Sequence, residues 1–177
     1  GRHDVDVRLV ERGDRGVERG RLARARRAGD EHDPVRLVDR LLEALERHQV
    51  RWMTGYAVSY YLLARFIEAQ GLRLPQTLRA IITTSEKLTP EMRNLLEKVF
   101  QCRVFEEYST VENVLFASEC EHGRLHVSPE IGLVEILRPD GKPCAPGEPG
   151  EVVATSLSRG YQPFIRYRLG DIAAWDG

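Results

Sequence analysis

Nine residues, Val-Phe-Glu-Glu-Tyr-Ser-Thr-Val-Glu from Val104 to Glu112, hold side chains able to do chemistry together. The apolar pair Val104-Phe105 leads into Tyr108, then the hydroxyls of Ser109 and Thr110, then the carboxylate of Glu112. A strand ending in such a loop offers a flat aromatic face, two hydroxyl donors and one anionic oxygen. A nucleotide–magnesium site uses those groups for base, phosphate and hard cation. Surface loops of this composition are also common without such a role. A second stretch runs from Pro163 to Asp171, where Arg166 and Arg168 flank Tyr167 and Gly170-Asp171 reads as a tight turn before a strand. A carboxylate so placed can accept both hydroxyls of a ribose or satisfy the backbone donors of its own turn. A third set, Cys120-x-His122-x3-His126, mixes a thiol and two imidazoles at close spacing, with Cys102 as a candidate fourth ligand. Zinc takes four ligands and this is not the spacing of a standard finger. The plainer reading makes His122 a turn residue and His126 one at the edge of a core.

The elements that must position these groups follow from periodicity. Pro34 opens an amphipathic helix with Leu37, Val38, Leu41, Leu42 and Leu45 at helical spacing. Val50–Met53 reads as a short strand closed by Thr54-Gly55, and Ala57–Gln70 as a helix capped by Gly71. Tyr56, Tyr60, Tyr61 and Phe66 sit there as core residues or as the lining of a pocket. Leu78–Thr83 is a strand, Thr84-Ser85-Glu86 a loop, and Thr89-Pro90-Glu91 a helix start with a hydroxyl cap, proline in the first turn and an acid behind it. That helix runs to about Val99, and Cys102–Glu107 is the next strand. Strands alternating with helices predict a parallel sheet with helices packed on it, and ligands gather beyond the carboxyl ends of such strands. After Asn113 the pattern changes to short strands, Val114–Ser118, Leu125–Val127, Leu133–Leu137, Glu151–Thr155 and Ile172–Trp175, separated by Pro/Gly turns. The fold expected is therefore α/β: a partial parallel sheet flanked by helices over 34–113, then a small antiparallel β-barrel-like subdomain over 114–177.

Composition narrows the function classes. A net charge of −1 makes no electrostatic case for nucleic acid or an anionic membrane. Cys102, Cys120 and Cys144, an odd and sparse set, read as free thiols of a reducing, cytoplasmic compartment. No apolar run approaches the roughly 20 residues of a membrane span. Residues 1–33 differ from the rest, being Arg-rich with interleaved acids and without Lys or aromatics. They read as disordered or weakly helical, as a nucleic-acid arm whose charge its own acids nearly cancel, or as DNA translated out of frame. The chain opens on Gly and stops at Gly177 directly after a strand, which together predict truncation.

Taken together, the motifs carry a family resemblance. Glu107-Tyr-Ser-Thr-Val-Glu112 resembles the Tyr-Gly-x-Thr-Glu signature of adenylate-forming enzymes, and Arg166-Tyr-Arg-Leu-Gly-Asp171 their Tyr-Arg-Thr-Gly-Asp signature. Glu119–His126, the Val134-Glu135-Ile136 strand and Gly147-Glu-Pro-Gly-Glu-Val152 make the chain similar to the phenylacetate–coenzyme A ligase branch, with its capsular-polysaccharide-biosynthesis-type relatives, from about Pro34 onward. The resemblance implies an ATP-dependent ligase. It would join a small carboxylic acid, which the local aromatics hint is aryl, to AMP and then to a thiol, usually coenzyme A. It further implies that Tyr108 stacks on adenine, Thr110 bonds the α-phosphate, Glu112 ligates Mg²⁺ and Asp171 holds the ribose. Ser85 and Glu86 would border adenine and the acyl pocket, with Ser109 and Arg168 also at the nucleotide. Ser109 departs from the signature's Gly. The family's phosphate loop has no match before residue 34, and its C-terminal domain with a catalytic Lys would follow Gly177. The expectation is a fragment with half a nucleotide site, inactive alone; the alternative is a degenerate relative that binds nucleotide or a partner without turnover.

Overall fold

The computed structural model describes residues 6–9, 33–158 and 160–176. Its elements are β1 (Asp6–Leu9), α1 (Pro34–Arg47), β2 (Trp52–Tyr56), α2 (Ala57–Gln70), β3 (Ala80–Thr84), α3 (Pro90–Phe100), β4 (Arg103–Ser109), β5 (Phe116–Glu119), β6 (Leu125–Val127), β7 (Gly132–Leu137), β8 (Gly150–Ser156) and β9 (Tyr167–Asp176). They form a mixed sheet with flanking helices and an antiparallel sheet, in two compact units. The break falls within β4, at Val104/Phe105, not after Asn113. The reason is that Glu107–Ser109 already pairs antiparallel with Phe116–Ser118.

The α/β unit holds residues 34–82 and 86–104. Its helices start where local chemistry starts them. The Asp33 carboxylate accepts from the Val35 N–H at 3.0 Å ahead of Pro34, and the Thr89 hydroxyl accepts from the Met92 N–H at 3.2 Å ahead of Pro90. α2 has no cap on its own Tyr56; Glu86 Oε2 accepts from the Val58 N–H at 3.1 Å instead. Gly71 ends α2 at φ +63°, the left-handed conformation glycine adopts without strain. The core packs Leu42 and Leu45 of α1, Ala64 and Ile67 of α2, Ile81 of β3, and Leu96 and Phe100 of α3. Thr54-Gly55, expected as a loop closing β2, lies inside it. An added Cβ at Gly55 would meet the Tyr60 ring at 3.1–3.3 Å, so the glycine marks a close approach to the strand, not its end.

The β unit holds residues 83–85 and 105–177 together with β1. From β4 the strand order is β4-β5-β6-β1-β9-β8-β7, antiparallel at the pairings β4–β5, β5–β6, β6–β1, β1–β9, β9–β8 and β8–β7. Gly132, opening β7, lies so close to the Val114 carbonyl that an added Cβ would stand 2.0 Å from its oxygen. The far edge strand thus curls back on the turn after β4. Val114, Leu115, Ile136, Val152, Ala154 and Ala173 fill the core between.

Two expectations change here. β1 stands inside the Arg-rich segment read as disordered or artefactual. It pairs with β6 on one side and β9 on the other, and Val5-Asp-Val-Arg-Leu9 has the period-two alternation of a strand. The expectation for 10–32 lies outside the described residues. Second, Gly170-Asp171 is not a turn before a strand but a bulge within β9. Opposite β8, Glu151 faces Ile172 and Val153 faces Arg168, so β9 carries extra residues there, with Gly170 at φ +81°.

Candidate nucleotide site

The bulge aims β9 at the turn after β4. On that turn the Asn113 N–H donates to the Thr110 carbonyl at 2.9 Å, and the Val114 N–H donates to Thr110 Oγ1 at 3.3 Å. Asn113 takes φ +53°, a left-handed value that Asn tolerates better than most residues. The turn is anchored on the fully buried Val114 and Leu115. Because the Thr110 oxygen accepts from the backbone, its own proton remains available to donate to a ligand.

A pocket of about 390 Å³ opens between these segments, all within the β unit. Ser85, Ser109, Thr110, Val111, Glu112, Tyr167, Leu169 and Asp171 line it. Its size falls among small-molecule sites. Ser85 sits at φ +65° beyond β3, which is tied to β4 by the buried Thr83 hydroxyl donating to the Phe105 carbonyl at 3.2 Å.

Two tyrosine hydroxyls reach the pocket's carboxylates. Tyr108 donates to Asp171 Oδ2 at 2.6 Å, and Tyr167 donates to Glu112 Oε1 at 3.1 Å. Burial raises the Tyr108 phenol far above its ordinary 10.0, and the hydrogen bond to Asp171 and that group's charge push the same way. The Tyr167 phenol is raised first by its bond to Glu112, then by that group's charge. Both phenols are therefore neutral donors at neutral pH. Among the described residues no Lys or Arg lines the pocket. Arg166 forks onto Glu135 at 3.0 and 3.2 Å, and Arg168 Nε donates to Glu151 at 2.8 Å.

Of the residues singled out from the sequence, Ser85, Ser109, Thr110, Glu112 and Asp171 thus meet at one pocket. Tyr108 stands behind it, partly buried against the core and bonded to Asp171. Arg168 is corrected to a partner of Glu151, since strand alternation and the bulge carry it off the pocket. Glu86 accepts from the Val58 N–H, 28 residues earlier, and so caps α2. The zinc set is corrected too. Among the described residues no group of three or more His, Cys, Asp or Glu side chains can hold a metal. The Cys120 and His126 side chains do interact, but the exposed His122 imidazole lies 3.7 Å from Glu121. Tyr167 and Leu169 are site residues that the sequence did not single out. The signal was present, because Tyr167 is the first letter of the second signature. Letter by letter, Val111 stands where the first signature has Thr, and the hydroxyl comes one residue earlier, from Thr110.

No family model matches the chain. Over 130 residues it is 28% identical to Protein CapK of Staphylococcus aureus, covering 73% of this chain and 28% of that protein. Among solved structures it is similar to 2-hydroxyisobutyryl-CoA ligase in complex with 2-HIB-AMP and CoA, with a TM-score of 0.65 and 22% identity, over 82% of this chain and 35% of that one. A long-chain-fatty-acid-CoA ligase from Archaeoglobus fulgidus gives a TM-score of 0.62 at 14% identity, over 76% and 33% of the two chains. The anthranilate CoA ligase AuaEII, in complex with anthranoyl-AMP, gives 0.57 at 15%, over 75% and 26%. The chain spans about a third or less of the length of each of these proteins. By fold, this chain is similar to part of each of these CoA ligases.

Proposed function

We propose that the chain carries part of the nucleotide site of an ATP-dependent carboxylate–CoA ligase. The observation that supports this best is the meeting of Thr110, Glu112 and Asp171 at one pocket of nucleotide size. In this reading Asp171 accepts the ribose hydroxyls and Thr110 donates to the α-phosphate, with Ser109 and Ser85 as further donors at the rim. In the reaction a carboxylate oxygen of the acid attacks the α-phosphorus, the bond to the β-phosphate oxygen breaks, and pyrophosphate leaves. A thiol then attacks the acyl carbonyl and AMP departs. Such chemistry rests on positioning and charge neutralisation and needs no protein nucleophile.

The charge of the pocket argues for a cation. Among the described residues two carboxylates and no basic side chain line it, so these groups alone would repel a bare phosphate. Magnesium is held by one or two carboxylates plus substrate phosphates, and Glu112 on the pocket wall fits that donor set. Bound there, Mg²⁺ would neutralise phosphate charge. The chain spans about a third of the length of the CoA ligases it resembles, and in this reading it does not complete the reaction alone. The acid is a small carboxylic acid, and the aromatic content of residues 56–66 favours an aryl one. Three free thiols fit a reducing, cytoplasmic setting. No helix among the described residues is long and apolar enough to cross a membrane.

The test is a pair of measurements on the purified chain. Calorimetry should detect ATP binding in the presence of Mg²⁺, and little without it. With ATP, Mg²⁺ and a panel of aryl and acyl acids, pyrophosphate release should stay at background. Turnover would contradict the inactivity, and absence of any Mg²⁺–ATP binding would contradict the site.

A further inference from the structure

The two hydrogen bonds at the pocket are reciprocal. β4 supplies Tyr108, whose hydroxyl holds Asp171 of β9, and β9 supplies Tyr167, whose hydroxyl holds Glu112 just beyond β4. The Tyr108 ring is packed on the core, and the more exposed Tyr167 ring has an aromatic neighbour. Tyr108 lies against the cluster of Val114, Ile136 and Ala173, and Phe164 meets Tyr167 edge-on with centroids 5.0 Å apart. A carboxylate on an exposed strand loses rotamer freedom when a ligand orders it, and a fixed donor removes that loss beforehand. Each bond uses one of about four lone-pair positions on its carboxylate and leaves the rest for a ligand.

Building on the nucleotide reading above, we propose that Tyr108 and Tyr167 are positioning residues, Tyr108 presenting Asp171 to the ribose hydroxyls and Tyr167 presenting Glu112 to the cation. Tyr108 then acts through its hydroxyl and not as a platform for the base, in keeping with its place behind the pocket wall. A stacking ring would tolerate loss of the hydroxyl; a positioning hydroxyl would not.

The experiment is calorimetry on the full chain and its variants, each checked for folding by circular dichroism: AMP and 2′,3′-dideoxy-AMP at fixed Mg²⁺ for Tyr108→Phe, and AMP across a Mg²⁺ series for Tyr167→Phe. Removing one such hydrogen bond should weaken AMP binding about fivefold in Tyr108→Phe. The same change should leave dideoxy-AMP binding unaltered, because that ligand has no hydroxyls for Asp171 to accept. Tyr167→Phe should raise the Mg²⁺ concentration needed for half-maximal AMP binding by a similar factor. AMP binding unchanged in Tyr108→Phe, or weakened equally for both ligands, would overturn the role of Tyr108 while leaving the nucleotide reading standing. An unchanged Mg²⁺ dependence in Tyr167→Phe would overturn the role of Tyr167. Failure of the unaltered chain to bind AMP at all would instead remove the nucleotide reading and this inference with it.

Discussion

Gly132→Ala should unfold the β unit far more readily than its single methyl group suggests. The added Cβ would stand 2.0 Å from the Val114 carbonyl oxygen and 2.9 Å from that of Thr155. Both obstacles are backbone, one on the buried turn after β4 and one on the neighbouring strand β8, so no side chain can swing away. Relief requires β7 to move by about 1 Å, since carbon–oxygen contacts begin near 3.3 Å. That movement strains the pairing of Gly132 with Ser156 and the bond from the Leu157 N–H to the Ile131 carbonyl at 3.0 Å. Overpacking a tight site costs about 1–3 kcal/mol, and one weakened backbone bond adds about 1 kcal/mol. The sum, about 3 kcal/mol, is a large share of the roughly 5–15 kcal/mol that holds a domain folded. Urea unfolding followed by Trp fluorescence reports it. Trp175 packs on the β-unit core, whereas Trp52 is 63% exposed and supplies a steadier background. A midpoint shift corresponding to less than about 0.5 kcal/mol would refute the reasoning, because it would mean that β7 and the Val114 turn are not in contact.

Other perturbations follow from the same geometry. Arg138 donates to Glu148 at 2.6 Å, and with the Ala145 N–H it lowers the Glu148 carboxyl from 4.5 to about 2. The folded value is depressed, so this stabilisation is complete above about pH 4.5 and is lost as pH falls toward 2. Acid unfolding of Glu148→Gln should accordingly show a flatter pH dependence in that window than the unaltered chain. Glu86→Ala strips the cap from α2 and should lower stability of the α/β unit by about 1 kcal/mol, measured by thermal unfolding. Thiol labelling at pH 7.5 should modify Cys120 first. Its thiol is lowered, chiefly by the Arg124 backbone N–H, while burial raises Cys102 to about 11 and also raises the buried Cys144. Peptide mapping that finds Cys144 labelled first would contradict this order.

Local chemistry was legible in the sequence wherever it acts over a few residues. Asp33, Thr89 and Gly71 marked helix ends because capping is decided within one turn. Ser109, Thr110, Glu112 and Asp171 could be singled out because two spelled motifs carried them, and all four line one pocket. What stayed hidden depends on partners far away in the chain. Glu86 reads as a loop acid until Val58, 28 residues earlier, is seen beside it. The Tyr108–Asp171 and Tyr167–Glu112 bonds span 63 and 55 residues. Gly170-Asp171 spells a turn, and only the register against β8 turns it into a bulge. β1 was missed because four residues of alternation are short beside the surrounding run of arginines.

Where a nucleotide sits on the β unit decides the role of Asp171. A crystal structure of the chain grown with AMP and Mg²⁺ tests it directly. The account predicts the ribose hydroxyls within hydrogen-bond distance of the Asp171 carboxylate and the phosphate beside Thr110 and Glu112. A nucleotide bound elsewhere, with Asp171 still accepting only from Tyr108, would contradict it.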